Sequence, residues 1–156
     1  MDASHLQFCD RKSQIDIDQL QALFKLGAFW AKERSREDLS IAIENSEPVI
    51  SVWDVQKLIG FARANSDGIY RATIWDVVIH PDYRGAGLGR KLVETVISHP
   101  RMNRVERIYL MTTHQQRFYE RIGFEVNSTT TMVLQNQPIV NSLPTQEILF
   151  QESIGG

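Results

Sequence analysis

Two hydrophobic periods take turns along this chain, and their order predicts an α/β fold. Leu6-Gln7-Phe8-Cys9 alternates as a first strand would. Ile17, Leu20, Leu23 and Phe24 then recur at helical spacing behind Asp16, a suitable N-cap, and Gly27 ends or kinks that helix. Ser35-Arg36-Glu37-Asp38 has the form of a capping box. It opens a second helix through Leu39, Ile41, Ala42 and Ile43, which Asn45-Ser46-Glu47-Pro48 stops. Residues 49–53, 58–63 and 69–79 read as strands from their β-branched content, with Asn65-Ser66-Asp67-Gly68 as a hairpin turn. From Gly87 the period returns to 3.6. Leu88, Leu92, Val93, Val96 and Ile97 share one stripe, and His99-Pro100 closes it. Residues 107–113 read as a strand, 115–122 as a short helix with Gly123 as its C′ residue, and 124–126 and 130–134 as two last strands. The order β-α-α-β-β-β-α-β-α-β-β predicts an α/β domain with a mixed sheet over residues 1–134. From Gln135 the chain turns polar and proline-punctuated, and residues 135–156 are expected to form a C-terminal tail.

Charge and composition narrow the class. The 156 residues carry 17 Lys+Arg against 19 Asp+Glu, a formal net charge of -2. That balance gives no general attraction to nucleic acid or to an anionic membrane. Arg101, Arg104 and Arg107 read as a solvated loop or as partners for a ligand phosphate. The single cysteine, Cys9, excludes an intrachain disulfide and any multi-cysteine metal site, and fits a reducing compartment. No stretch approaches the roughly 18 apolar residues that span a bilayer, and the start lacks the basic and apolar regions of a secretory signal. The expectation is a cytoplasmic protein with no membrane or nucleic-acid partner and no metal.

The chemistry concentrates between Ile74 and Ile97. Arg84-Gly85-Ala86-Gly87-Leu88-Gly89-Arg90 joins a strand to a helix. Glycines there let backbone N–H groups approach a ligand, and the helix N-terminus adds unpaired N–H groups and partial positive charge. Together they make an anion site suited to phosphates, with Arg84, Arg90 and Lys91 expected to add charge around it. A Walker A loop is excluded because Arg90-Lys91 is followed by Leu92. A dinucleotide fingerprint fits poorly, since the spacing is G-x-G-x-G and three strands expected to be antiparallel precede it.

Arg84-Gly85-Ala86-Gly87-Leu88-Gly89 resembles the Q/R-x-x-G-x-G/A acetyl-CoA loop of the GCN5-related N-acetyltransferases. His80-Pro81-Asp82-Tyr83-Arg84-Gly85 before it is similar to the family too, and Phe118-Tyr119-Glu120-Arg121-Ile122-Gly123-Phe124 looks like the family's second motif. The resemblance covers about residues 5 to 134. It implies a mostly antiparallel sheet, and acetyl-CoA as co-substrate. It further implies that Val77, Val78 and Ile79 pair with the pantetheine arm, that the backbone of residues 84–89, with Arg90 beside it, holds the pyrophosphate, and that Tyr119 protonates the departing thiolate. Transfer would then run directly from thioester to amine. Two positions depart from the family pattern: Thr112 stands where many members have Asn, and Trp75 where Glu is frequent. A hydroxyl at Thr112 still suits a cofactor contact.

The amine must lose a proton before it attacks. Asp76, in an apolar strand, is the first candidate for base or ammonium anchor, and burial would raise its pKa. His80 and His114 are further candidates; Cys9 lacks a motif. Phe24, Phe29, Trp30, Trp53, Phe61, Tyr70 and Trp75 read either as core or as an aromatic acceptor channel suited to a small arylalkylamine. Residues 73–77 also resemble the serotonin N-acetyltransferase-like branch of the family. A protein lysine or N-terminus is the alternative acceptor. A CoA-binding module without catalysis is the alternative function. In the tail, Ile148, Leu149, Phe150 and Ile154 are expected to pack on the domain or on a second subunit as a homodimer.

Overall fold

The structure is a computed structural model that describes residues 2–128 and 131–136. The chain divides into two compact units, 1–125 and 126–156, so the expected boundary at 134/135 falls inside the second. The first unit holds every helix and strand that is described. These are β1 (Gln7–Cys9), α1 (Ile17–Gly27), α2 (Arg36–Glu44), β2 (Val49–Asp54), β3 (Lys57–Ser66), β4 (Arg71–Ile79), α3 (Leu88–Ser98), β5 (Arg107–Tyr109) and α4 (Gln116–Ile122). The strands form one sheet in the order β1-β2-β3-β4-β5. Every pairing is antiparallel except β4 with β5, which is parallel.

The helices start where the caps predict. The Asp16 carboxylate accepts from the N–H groups of Asp18 and Gln19, and the Ser35 hydroxyl oxygen from that of Asp38. Each helix buries its apolar stripe on one face of the sheet. Leu20, Leu23 and Phe24 of α1 and Leu39 and Ile43 of α2 pack on Val49, Leu58, Phe61 and Val78. Leu88, Leu92, Val93 and Val96 of α3 pack on Ile50, Val52, Ile59, Ile74 and Ile79 from the opposite face, with α4 beside them. The domain is thus three layers, helices over sheet over helix.

Two expectations are corrected at the end of the fold. Residues 124–126 form no strand, nor do the described residues of 130–134, namely 131–134. β5 is shorter than expected, three residues rather than seven. In the second unit the described residues 126–128 and 131–136 are exposed, Met132 at 91%. Strand propensity is realised only against a partner strand, and among the described residues no strand lies beside 124–126 or 131–134. The apolar residues between 148 and 154 lie outside the described part of the chain. Among the described residues no helix is long and apolar enough to cross a membrane.

Candidate active site

The site begins where the sheet comes apart. β4 pairs with β5 only at Arg71, Ala72 and Thr73, so β4 from Trp75 to Ile79 has no strand neighbour on that side. On its other side β4 runs against β3, with Phe61 opposite Val78 and the His80 N–H donating to the Ile59 carbonyl at 2.7 Å. Antiparallel geometry alternates the direction of backbone groups. Val78 therefore turns its N–H and C=O toward β3, and Val77 and Ile79 turn theirs toward the open edge. Of the three residues expected to pair with an extended ligand, Val77 and Ile79 present their backbone and Val78 does not. Val78 instead buries its side chain beneath Gly27, where a Cβ would lie 2.8 Å from Val78 Cγ2.

A bulge sets this edge. The β3–β4 register shifts between Phe61 and Arg63, and Asp76 has φ +58°, in the left-handed region. Ala72 and Ile74 face α3 before the shift, and Val77 and Ile79 face it after. One inserted residue has reversed the alternation. A non-glycine residue in this conformation costs roughly 1–2 kcal/mol, so its surroundings must hold it. They do so through its carboxylate. Oδ1 accepts from Trp30 Nε1 at 3.1 Å, and Oδ2 accepts from Arg34 and from Arg63 Nε, each at 2.7 Å. Arg63 also donates to the Ser46 hydroxyl at 3.2 Å. The side chain of Asp76 is 3% exposed. Burial acts to raise its pKa, but the hydrogen bonds and charges of the two guanidinium groups outweigh it and hold the carboxyl below its ordinary value. The expected raised pKa is thereby corrected.

The glycine loop follows. His80 Nδ1 accepts from the Asp82 N–H at 3.1 Å and caps the single turn Pro81–Tyr83, while the Tyr83 hydroxyl donates to the Asp54 carboxylate. His80 is therefore occupied in the turn. Gly85 and Gly87 have φ +88° and +74°, and a Cβ on either would meet nothing within 4 Å. That empty space is what an approaching phosphate needs. Gly87 is the N-cap of α3, which has no side-chain cap, leaving its first N–H groups for an anion. Gly89 differs: a Cβ there would stand 3.3 Å from Phe118, so it permits close packing of α3 against α4. Ala86 packs against the same core, and Leu88 is buried in it.

The cations expected around the loop each have a contact of their own within the protein. The Arg84 guanidinium donates to the carbonyls of Ile79 and Gly27, both at 3.3 Å, tying the loop to the C-terminal end of α1. Arg90 pairs with Glu94, and the Lys91 ammonium lies 4.7 Å from the Phe8 ring centre. The cradle itself is lined by backbone groups, with these three cations flanking it.

α4 completes the site from the α3 side. The Thr112 hydroxyl oxygen accepts from the Gln115 N–H at 3.0 Å, which orders the entry to the helix and leaves its proton to donate elsewhere. Tyr119 packs between Phe118 and Phe124, with ring centres 4.9 and 5.8 Å away, against the same core as Val77, Ala86 and Leu88. Burial raises its pKa, and its hydroxyl has no hydrogen-bond partner among the described residues. The residues thus fit a ligand with an anionic end and an extended arm, with a protonated phenol on the same side of the sheet.

The aromatic side chains do not make one channel. Phe24 and Phe61 meet edge to face in the core at 5.6 Å. Trp53 packs on the α1–α2 core and donates to the Ser51 hydroxyl, and Tyr70 is exposed beyond the hairpin turn. Phe29 and Trp30 remain near Gly27 in the chain and lie edge to face at 5.2 Å, 68% and 47% exposed, with Leu26 at 61%. His114 is exposed on the segment before α4. Cys9 lines an open hollow with Arg11, Trp53 and Gln14 beside β1, three strands along the sheet from β4, and its Sγ accepts from the Arg11 N–H at 3.4 Å. Arg34 and Arg63 escaped the sequence reading. The available signal was a carboxylate in an apolar strand with an arginine on the strand paired to it.

Similarities to known proteins agree with this geometry. The family profile described as "Acetyltransferase (GNAT) family" matches residues 16–124. An uncharacterized N-acetyltransferase, ycf52, of Pyropia yezoensis is 41% identical over 100 residues, 61% of this chain and 57% of that protein. A protein of Glycine max named histone acetyltransferase TAP1 is 37% identical over 126 residues, 72% of this chain and 53% of its own length. The chain thus spans little more than half the length of these relatives. A solved structure of a GNAT-family protein of Xanthomonas campestris, called a putative acetyltransferase, superposes with a TM-score of 0.74 at 26% identity, covering 83% of this chain and 94% of that one.

Proposed function

The chain belongs to the acetyltransferase (GNAT) family, and from that premise we propose that it transfers an acetyl group from acetyl-CoA directly to a primary amine. The observation that carries this reading is the unpaired edge of β4 leading straight into a glycine cradle at the N-terminus of α3. Acetyl-CoA supplies an acetyl thioester, whose carbonyl the amine attacks and whose thiolate leaves. The free N–H groups of Leu88 and Gly89, with the open turns at Gly85 and Gly87, suit the pyrophosphate. Val77 offers its backbone groups to the pantetheine amides, Ile79 its N–H, since its carbonyl already accepts from Arg84, and Thr112 a hydroxyl. An edge N–H of Val77 is placed to donate to the thioester oxygen as it gains charge. Tyr119, a neutral phenol, donates its proton to the departing thiolate and regains one from the attacking nitrogen, which sheds its second proton as the amide forms. The ammonium proton leaves to water at the open edge.

For the acceptor we favour an amine carried on a polypeptide. The support is the exposure of Leu26, Phe29 and Trp30, which form an open rim where a small arylalkylamine would call for an enclosed aromatic pocket. The relative named a histone acetyltransferase agrees with that choice. A thiol-release assay over tryptamine, spermidine and a lysine-bearing histone tail peptide tests both levels. Release with the peptide alone supports the acceptor, and release with tryptamine alone returns the reading to arylalkylamines. Acetyl-CoA binding without release for any amine points to a CoA-binding module instead.

A further inference from the structure

Asp76 is the most constrained side chain beside the open edge, and transfer as described above gives it no task. Its two oxygens receive three donors from two different parts of the chain. Trp30 and Arg34 come from the segment between α1 and α2, and Arg63 comes from β3. That segment has few other holds on the sheet. Ala28 and Ala31 are buried beneath it, but Phe29, Trp30, Lys32 and Glu33 are exposed. The guanidinium of Arg34 adds one contact, 5.8 Å above the Phe24 ring. The same carboxylate belongs to the residue whose left-handed backbone creates the bulge and aims Val77 and Ile79 at the edge.

We propose that Asp76 is a positioning residue, a clasp that docks the 28–34 segment onto the β4 bulge and so fixes the acceptor side of the cleft relative to the backbone that holds the thioester. It neither takes the proton of the amine nor binds the ammonium. Both of its oxygens already accept charged or indole donors, and two cations beside one anion leave a local charge that repels an alkylammonium. A carboxylate so occupied is a weak base. Trp30 and Arg34 are members of the clasp, and Trp30, held to Asp76 by its indole N–H, is also part of the exposed acceptor rim.

Two measurements test this, and one of them is independent of activity. The variants are Asp76→Asn, which keeps a residue tolerant of left-handed φ, Arg34→Gln and Trp30→Phe. With the clasp open, trypsin should cut after exposed Lys32 at least about tenfold faster than in the parent chain, a change of the size expected for one lost charged hydrogen bond. Cleavage after Lys32 at the parental rate in all three variants overturns the clasp, whatever the enzyme turns over. If Asp76→Asn does not fold, Arg34→Gln and Trp30→Phe decide alone, since both alter a half-exposed side chain. The second measurement rests on the transfer reading and uses whichever of the three probe amines is acetylated. Each variant should raise the acceptor KM while the Kd for acetyl-CoA stays within about threefold, the doubles should be no worse than Asp76→Asn alone, and the acidic limb of the kcat/KM pH profile should persist. Loss of that limb in Asp76→Asn makes the residue the base and overturns the proposal. Absence of turnover with every amine counts against the transfer reading and leaves the proteolysis result standing.

Discussion

Asp76 lies 13 residues from Arg63 and 42 from Arg34, and distances of that kind hide an ion network from any periodic reading of sequence. The sequence shows a carboxylate in an apolar strand, and burial alone would raise its pKa; only the fold brings two guanidinium groups to it and reverses the sign. That sign governs acid stability. The folded carboxyl holds its proton less tightly than the unfolded one, so the unfolded state binds more protons and stability rises with pH through this window. The contribution is complete above the unfolded pKa of about 4 and fades as pH falls through it to the lower folded value. Asp76→Asn should therefore lower stability by about 2 kcal/mol at pH 7, and the gap between variant and parent in urea midpoint should close below about pH 4. Tyr119 is the opposite case. Its place in Phe-Tyr-x-x-x-Gly-Phe was legible, while its burial, which raises the phenol pKa, makes it a weaker acid that donates only because the thiolate leaves in the same desolvated site. Tyr119→Phe should lower kcat by about 10²-fold or more with little change in acetyl-CoA affinity, since the hydroxyl acts only as the thiolate departs. A parental kcat, with chemistry rate-limiting, removes Tyr119 from the mechanism.

At the scale of elements the caps and stripes did most of the predicting. Asp16 and Ser35 cap the helices they were expected to cap, and the apolar stripe of α3 is the one buried. Strands were legible where a partner existed and illusory where none did, as at 124–126, because β propensity reports a pleated surface waiting for a neighbour. The glycine loop was legible as a motif but not as a division of labour. Its pattern treats Gly85, Gly87 and Gly89 alike, whereas only the first two face open space with left-handed backbone. Gly87→Ala should therefore weaken acetyl-CoA binding in calorimetry and cost roughly 1 kcal/mol of stability, the Cβ entering the cradle without touching the protein. Gly89→Ala should act through packing. Its Cβ presses on Phe118, so the melting temperature should fall and kcat should drop through the displaced neighbour Tyr119. Equal effects of the two substitutions on affinity and stability would contradict that division.

The whole molecule raises the question of what the first unit needs from the second. Every residue assigned to the site, from Leu26 to Tyr119, lies in the unit 1–125, and so does each described helix and strand. Both faces of the sheet are already covered by helices within that unit. Beyond it, Val126, Met132, Val133 and Leu134 are 73–91% exposed, a run of apolar residues that gains nothing from water. A chain ending at Glu125 should consequently fold, melt within a few degrees of the full chain and bind acetyl-CoA with unchanged affinity. The apolar run predicts a different loss: the full chain should associate with itself through the residues after 125, and the shortened chain should scatter light as a monomer. If shortening leaves the mass unchanged but abolishes acetyl-CoA binding, the second unit belongs to the cofactor site and the assignment of that site to residues 77–119 fails. If it leaves both unchanged, the exposed apolar residues serve neither association nor binding, and the homodimer expected from the tail is wrong.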